Sequence, residues 1–130
     1  MTRERVLKGT VLFIAVIQLG LGLAYGLAPA GFHAALGLTD LPDWVGWPFG
    51  LMGARFIAFG FGMVLVYRDP WANRSWIQAM ILVQAIDWIA TIFHVATGVV
   101  RLAQVTTASF LPLLFVITLT ATYPRAGQRH

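Results

Sequence analysis

The chain consists of long apolar runs separated by short polar segments, and four runs can be distinguished. They cover residues 9–28, 47–67, 75–100 and 105–123. About 20 residues of α-helix cross the 30 Å hydrocarbon core of a bilayer. The runs are continuous and do not alternate with polar residues, which argues against strands. The pattern predicts an all-α protein, with residues 1–130 forming a single transmembrane domain built as a four-helix bundle.

The positions of the prolines agree with these boundaries, with one exception. Of the 6 prolines, five lie at or outside the ends of the runs, whereas Pro112 lies inside the fourth. Proline removes a backbone donor and bends the interior of a helix. We therefore predict that the fourth helix is kinked at Pro112.

Composition and charge narrow the class of protein. The chain is 58% hydrophobic and 11% charged, whereas soluble domains average about 45–50% and about 25%. This composition excludes a disordered chain, and the absence of cysteine excludes a disulfide-stabilised scaffold. The net charge of +4 does not indicate nucleic-acid binding, because the basic residues lie at the ends of the apolar runs and not along one face.

The distribution of basic residues predicts the orientation. Seven of the 9 Lys and Arg residues lie on one side of a four-span topology: Arg3, Arg5, Lys8, Arg68, Arg74, Arg125 and Arg129. The positive-inside rule then places both termini in the cytoplasm, with the chain in the inner (plasma) membrane. Cleavage as a signal peptide near Ala28 is not expected, because the first run exceeds the usual apolar length of about 7–15 residues.

Polar residues in the third run share one helical face. At 100° per residue, a stripe no more than about 140° wide contains Met80, Gln84, Asp87, Thr91, His94, Gly98 and Arg101. A charge near the centre of a membrane helix costs about 2.5–3.5 kcal/mol on insertion. The stripe is therefore expected to face protein or water, not lipid.

Arg55 in the second run is the other charge inside the predicted spans. It lies roughly 12 Å below the outer end of its helix, at a depth between those of Asp87 and His94. We predict an ion pair between Arg55 and Asp87, because a guanidinium suits a carboxylate in geometry and charge. Gln84, His94 and Gln18 are expected to complete its hydrogen bonds.

Two interpretations of this polar cluster remain open. It is either a clamp that fixes helix register or a pocket for a lipophilic small molecule, a quinone or protons. We predict no metal site, because His33, Asp87 and His94 lack paired ligand spacing and Arg55 would repel a cation. No cofactor motif is found either.

Small residues form two further stripes. Gly22 and Gly26 are four residues apart in the first run, and Ala54, Ala58 and Gly62 follow the same spacing in the second. Small residues let membrane helices approach closely. The stripes predict either packing inside the bundle or an interface with a second copy or another membrane protein.

The order of these features resembles a known family. A basic N-terminus precedes a glycine-rich helix, an outer loop follows Pro29, and the second run carries Gly53-Ala54-Arg55. In these respects the chain resembles the DoxX-like small bacterial membrane proteins and related four-helix families of unknown function. The resemblance implies four spans and, as in some relatives, a link to quinone-dependent oxidation or membrane redox complexes.

The expected function is a non-enzymatic one, either binding of a lipophilic ligand or service as an accessory subunit, centred on the cluster around Arg55. The alternative is a membrane-embedded enzyme, an isomerase or a component of a quinone-linked oxidoreductase, that uses Asp87 and His94 on a lipophilic substrate.

Overall fold

The computed structural model describes residues 2–27, 29–38 and 40–127, and the regular elements in these ranges are all helical. The α-helices are α1 (Arg3–Leu27), α2 (Pro29–Ala35), α3 (Gly46–Arg68), α4 (Arg74–Ala96) and α5 (Thr106–Thr122). Short 3-10 turns at Asp43–Val45 and Leu102–Gln104 precede α3 and α5. The predicted all-α class is confirmed. Ala28 and Arg129, which entered the predictions above, lie outside the described residues.

The four long helices pack in a ring. The most extensive contacts join α1 to α3 and α4 to α5, and narrower contacts between α1 and α5 and between α3 and α4 close the ring. A hydrogen bond from Arg3 Nη2 to the Tyr123 carbonyl oxygen (3.2 Å) ties the start of α1 to the end of α5. We call this side of the bundle the terminal end and the opposite side, which carries α2, the α2 end.

The apolar core lies in the half of the bundle at the terminal end. It is formed by the first halves of α1 and α4 and the second halves of α3 and α5, with the buried residues Leu7, Val11, Ile14, Ala15, Met63, Val66, Ile77, Met80, Phe115 and Leu119. In the other half, the helices are held together by close backbone contact, polar contacts and aromatic rings.

Two helices approach each other closely at Gly22 on α1 and Gly53 on α3. A Cβ atom on Gly22 would lie 3.0 Å from the Gly53 carbonyl oxygen, and one on Gly53 would lie 3.0 Å from the Gly22 carbonyl oxygen. Such distances are shorter than ordinary packing, so the two backbones are in contact here because neither residue has a side chain.

The remaining small residues differ in what they face. A side chain at Gly62 would overlap the indole ring of Trp76 on α4, whereas a Cβ on Gly26 would have nothing within 4 Å. Ala54 and Ala58 are exposed on α3. In each predicted stripe, one residue packs within the chain and the others do not. The packed residues are Gly22 and Gly62.

Three helices are long and apolar enough to cross a membrane: α1, α3 together with the turn before it, and α4. Large apolar side chains also cover much of the bundle's surface, among them Phe61, Ile89 and Phe93, which are each about 60% exposed (59%, 61% and 61%). These features suggest a membrane protein. The fourth apolar helix, α5, is shorter, with 17 residues.

Two helices, α4 and α2, end at a glycine in the left-handed conformation. The third run was predicted to extend to residue 100, but α4 ends at Ala96 because Gly98 adopts a left-handed conformation (φ 77°). The Val99 and Gly98 amides then donate to the carbonyl oxygens of His94 and Val95, as in a Schellman motif. The same motif at Gly37 (φ 75°) ends α2, a helix that was not predicted.

Pro112 lies within α5, which continues through it as one α-helix. α3 begins and ends one residue outside its predicted range and α5 one residue inside, whereas α1 begins at Arg3, six residues before the predicted run. The kink at Pro112 stays a prediction.

We predict that Gly22→Ala destabilises the protein, because the added methyl group forces α1 away from α3. The expected loss is about 1–3 kcal/mol, as for other overpacked sites. The measurement is the thermal unfolding midpoint of the purified protein in detergent, followed by circular dichroism.

Gly26→Ala is the matched control, since it makes the same change one turn away where the space is open. It should be neutral or slightly stabilising, because alanine favours a helix over glycine by up to about 1 kcal/mol. Equal midpoints for the two variants would contradict the close approach of α1 and α3.

Candidate functional site

The ion pair between Arg55 and Asp87 joins α3 to α4. Arg55 Nη2 donates to Asp87 Oδ2 at 2.6 Å, which confirms the predicted pair. Arg55 is the tenth residue of α3 and Asp87 is the tenth from the end of α4, so each lies about 14 Å along its helix from the α2 end. The charges therefore meet because the two helices place them at the same level.

The pair lies on the side of the bundle, not at its centre. The side chains of Arg55 and Asp87 are 37% and 34% exposed, because α3 and α4 make only narrow contact. On α4 the neighbouring residues Ile86 and Ile89 are exposed and apolar. In place of the expected buried cluster, the structure has an ion pair that is about one-third exposed, at the edge of an apolar surface.

One buried donor of Arg55 is not used by the ion pair. Its Nε atom is buried and has no hydrogen-bond partner within the described part of the chain. The guanidinium carbon lies 5.1 Å from the centroid of the Phe56 ring, which is a cation–π distance. One side of the guanidinium therefore binds Asp87, while Nε lies among neighbouring protein atoms.

Five rings form an aromatic cluster where α1, α2 and α3 meet: Tyr25, Phe32, His33, Phe49 and Phe56. The Tyr25 ring is central, with centroids 4.6 Å from Phe32, 5.3 Å from Phe49 and 5.5 Å from Phe56. Because Phe56 also contacts Arg55, the cluster extends from the α2 end to the ion pair.

His33 is the polar member of the aromatic cluster. It is 8% exposed, its ring lies 4.3 Å from that of Phe49, and its Nε2 atom has no hydrogen-bond partner among the described residues. Sequence reasoning missed the cluster because it brings together three helices. A partial signal was present, since Phe49 and Phe56 are seven residues apart and so share a face of α3.

The two glutamines of the predicted cluster are buried but do not hydrogen-bond to the ion pair. Gln18 and Gln84 are 5% and 4% exposed. Gln84 Nε2 donates instead to Met80 Sδ, one turn earlier on α4, at 3.3 Å. In the described ranges, no hydrogen bond links either amide to Arg55 or Asp87. Both amides are therefore buried in the interior of the bundle and are not hydrogen-bond partners of the ion pair.

His94 does not join the cluster, contrary to the prediction. Its side chain is exposed, its Nδ1 atom lies 2.7 Å from the Ala90 carbonyl oxygen, and its ring packs edge to face against Phe93. The position on the polar stripe of α4 was correct, but a carbonyl one turn back on the same helix satisfies the imidazole. The site therefore consists of Arg55 and Asp87 with the aromatic cluster beside them.

The ion pair offers both donors and acceptors of hydrogen bonds. Arg55 supplies N–H donors and Asp87 supplies carboxylate acceptors, so together they can hold a polar group that both donates and accepts hydrogen bonds. Among the described residues, no group of three or more His, Cys, Asp or Glu side chains is placed to hold a metal ion.

Comparison of the chain with protein-family models, with curated proteins and with solved structures finds no match. The resemblance to the DoxX-like proteins therefore stays a prediction.

Proposed function

We propose that the chain is a four-span integral membrane protein of the bacterial inner membrane, with both termini in the cytoplasm. In this proposal it binds a lipophilic small molecule whose polar group docks at Arg55 and Asp87. The binding is non-enzymatic, and the DoxX-like resemblance belongs to the same proposal because it implies the same four spans.

The fourth span is supported by the position of α5. At 1.5 Å per residue its 17 residues extend about 26 Å, near the lower limit of about 17 residues for a membrane helix. Its last turn lies beside the start of α1, as the bond between Arg3 and the Tyr123 carbonyl shows. α5 therefore runs antiparallel to α4, from the α2 end to the terminal end.

The orientation is supported by the basic residues at the terminal end. Those within the described ranges are Arg3, Arg5, Lys8, Arg68, Arg74 and Arg125, whereas the α2 end has Arg101. Cytoplasmic segments of membrane proteins carry such an excess of Lys and Arg.

The exposure of the ion pair is the observation that carries the proposed binding function. Side chains with charge are costly next to lipid and normally face protein or water. Arg55 and Asp87 neutralise each other, but about a third of each side chain is open at the surface of apolar helices. A molecule with a polar group and an apolar body would cover both the charges and the adjoining apolar surface.

The contact between Arg55 and Phe56 indicates what such a molecule would look like. The aromatic cluster reaches the pair through Phe56, so a flat or ring-containing apolar body finds aromatic partners there.

Catalysis is less well supported, because His94, the proton-transfer partner that an enzyme would use with Asp87, makes its contacts with Ala90 and Phe93.

We predict that Asp87→Asn releases the bound molecule, since it removes the charged acceptor and leaves Arg55 without its counter-ion. The occupancy of a co-purified lipophilic ligand, measured by native mass spectrometry, should fall about ten-fold or more, as expected for loss of a hydrogen bond to a charged group. Asp43→Asn, the same change in the exposed turn before α3, should leave occupancy unchanged.

A double variant separates binding from a purely structural clamp. Arg55→Met with Asp87→Leu removes both charges, so it should restore expression if Asp87→Asn alone lowers it. Loss of the ligand from a well-folded double variant supports the binding site. A double variant that retains the ligand, or a wild-type protein that carries none, would show that the pair serves only to hold α3 and α4.

We also predict the pattern of labelling by a membrane-impermeant maleimide, for which the chain is suited because it has no cysteine. Asp43→Cys should react in intact spheroplasts, whereas Ala72→Cys and Ala126→Cys should react only after permeabilisation. All three positions are exposed. Reaction of Ala126→Cys together with Asp43→Cys would indicate that α5 does not cross, and the reverse pattern throughout would invert the orientation.

A further inference from the structure

A groove runs between α1 and α5 at the terminal end, away from the Arg55–Asp87 pair. It is a shallow groove, open to the surface, with a volume of about 400 Å³, and its apolar walls are Val6, Gly9 and Phe13 on α1 and Leu111, Leu114 and Phe115 on α5. This volume lies within the range of about 300–1,000 Å³ that ligand pockets occupy. The groove is therefore large enough for part of a lipid-sized molecule.

Gly9 creates the space on the α1 side. It has no side chain, and a Cβ atom placed there would have nothing within 4 Å. The Phe13 and Phe115 rings pack edge to face, with centroids 5.9 Å apart, and keep the helices in contact next to the opening. From Arg5 to Phe13 the groove follows α1 for about 12 Å.

Besides Arg5, the polar side chains that line the groove are the hydroxyls of Thr10 and Thr118. The hydroxyl of Thr10, which lines it, donates to the Val6 carbonyl oxygen one turn earlier at 2.8 Å. Most of the remaining wall is hydrocarbon, so a saturated or unsaturated chain is the occupant that loses no hydrogen bonds on entering.

A free cation stands at the terminal end of the groove. Arg5 lines it and is exposed, and within the described residues its guanidinium makes no hydrogen bond or ion pair. Its neighbours are already engaged, because Arg3 donates to the Tyr123 carbonyl oxygen and Lys8 lies 3.6 Å from Glu4. Arg5 is thus available to bind an anion at the end of the apolar groove.

We propose that this groove binds an anionic phospholipid of the cytoplasmic leaflet, with an acyl chain between α1 and α5 and the phosphate at Arg5. Basic residues beside grooves between membrane helices attract anionic head groups, and the arginine fork matches phosphate geometry. The proposal rests on the membrane placement given above, but not on a ligand at Arg55 and Asp87.

The test is a titration of delipidated full-length protein in detergent with phosphatidylglycerol or phosphatidylcholine of identical chains, followed by native mass spectrometry. Wild type should prefer phosphatidylglycerol. Arg5→Gln should lower that affinity about five-fold, the effect of one basic residue near an anionic head group, without changing phosphatidylcholine binding. Arg74→Gln, an exposed arginine at the same end outside the groove, is the charge control.

Gly9→Leu tests the apolar part, because the new side chain fills the groove and should lower binding of both lipids by five-fold or more. Gly20→Leu is the matched control on α1, exposed and with nothing within 4 Å of its Cβ position. Leu114→Trp fills the groove from the α5 side. It provides a second test of the same prediction if the Gly9→Leu variant fails to fold. Circular dichroism checks that each variant is folded.

Three results would overturn the proposal: equal loss of phosphatidylglycerol with Arg5→Gln and Arg74→Gln, equal binding by Gly9→Leu and Gly20→Leu, or no lipid preference in wild type. Asp87→Asn should leave this titration unchanged. Failure of the groove is therefore distinguishable from failure of the site at the ion pair.

Discussion

The ion pair between Arg55 and Asp87 connects α3 and α4 where the apolar core has ended. Along α4, Asp87 is seven residues beyond the last core residue, Met80, a distance of about 10 Å. Lipid gives no hydrophobic drive for helix association, so membrane helices depend on close packing and polar contacts. The pair fixes the position of α3 along α4. It does so in the half of the bundle at the α2 end, which lies outside the apolar core.

In the rest of that half, α1 contacts α3, and Trp88 Nε1 on α4 donates to the Ser109 carbonyl oxygen on α5 at 2.8 Å. Gly22 and Gly53 bring the two backbones together, and the Tyr25 ring packs against Phe56 nearby. α1 and α3 are thus in close contact along this half of the bundle. The contact of α4 with α3 here is the ion pair between Asp87 and Arg55. The exposed ion pair and the uneven packing have the same origin, which is the narrow contact between α3 and α4.

Sequence alone was sufficient for the long helices and for the ion pair, because each rests on a regular feature. Apolar runs of membrane length predict helices, and Arg55 and Asp87 were the charges at matching depth within them. His94 was misplaced because periodicity gives the face of a helix but not whether a local carbonyl satisfies the side chain. The groove beside Gly9 and the rings around Tyr25 depend on which helices are neighbours, which one sequence does not specify.

The packing of Trp76 against Gly62 has a consequence for how this bundle can vary. The indole ring occupies the volume that a side chain at position 62 would need. The space between α3 and α4 therefore accommodates a large side chain at only one of the two positions. A larger residue at one is compatible with the fold only if the other becomes smaller. Positions 62 and 76 are therefore expected to change together in any chain that keeps this arrangement of helices.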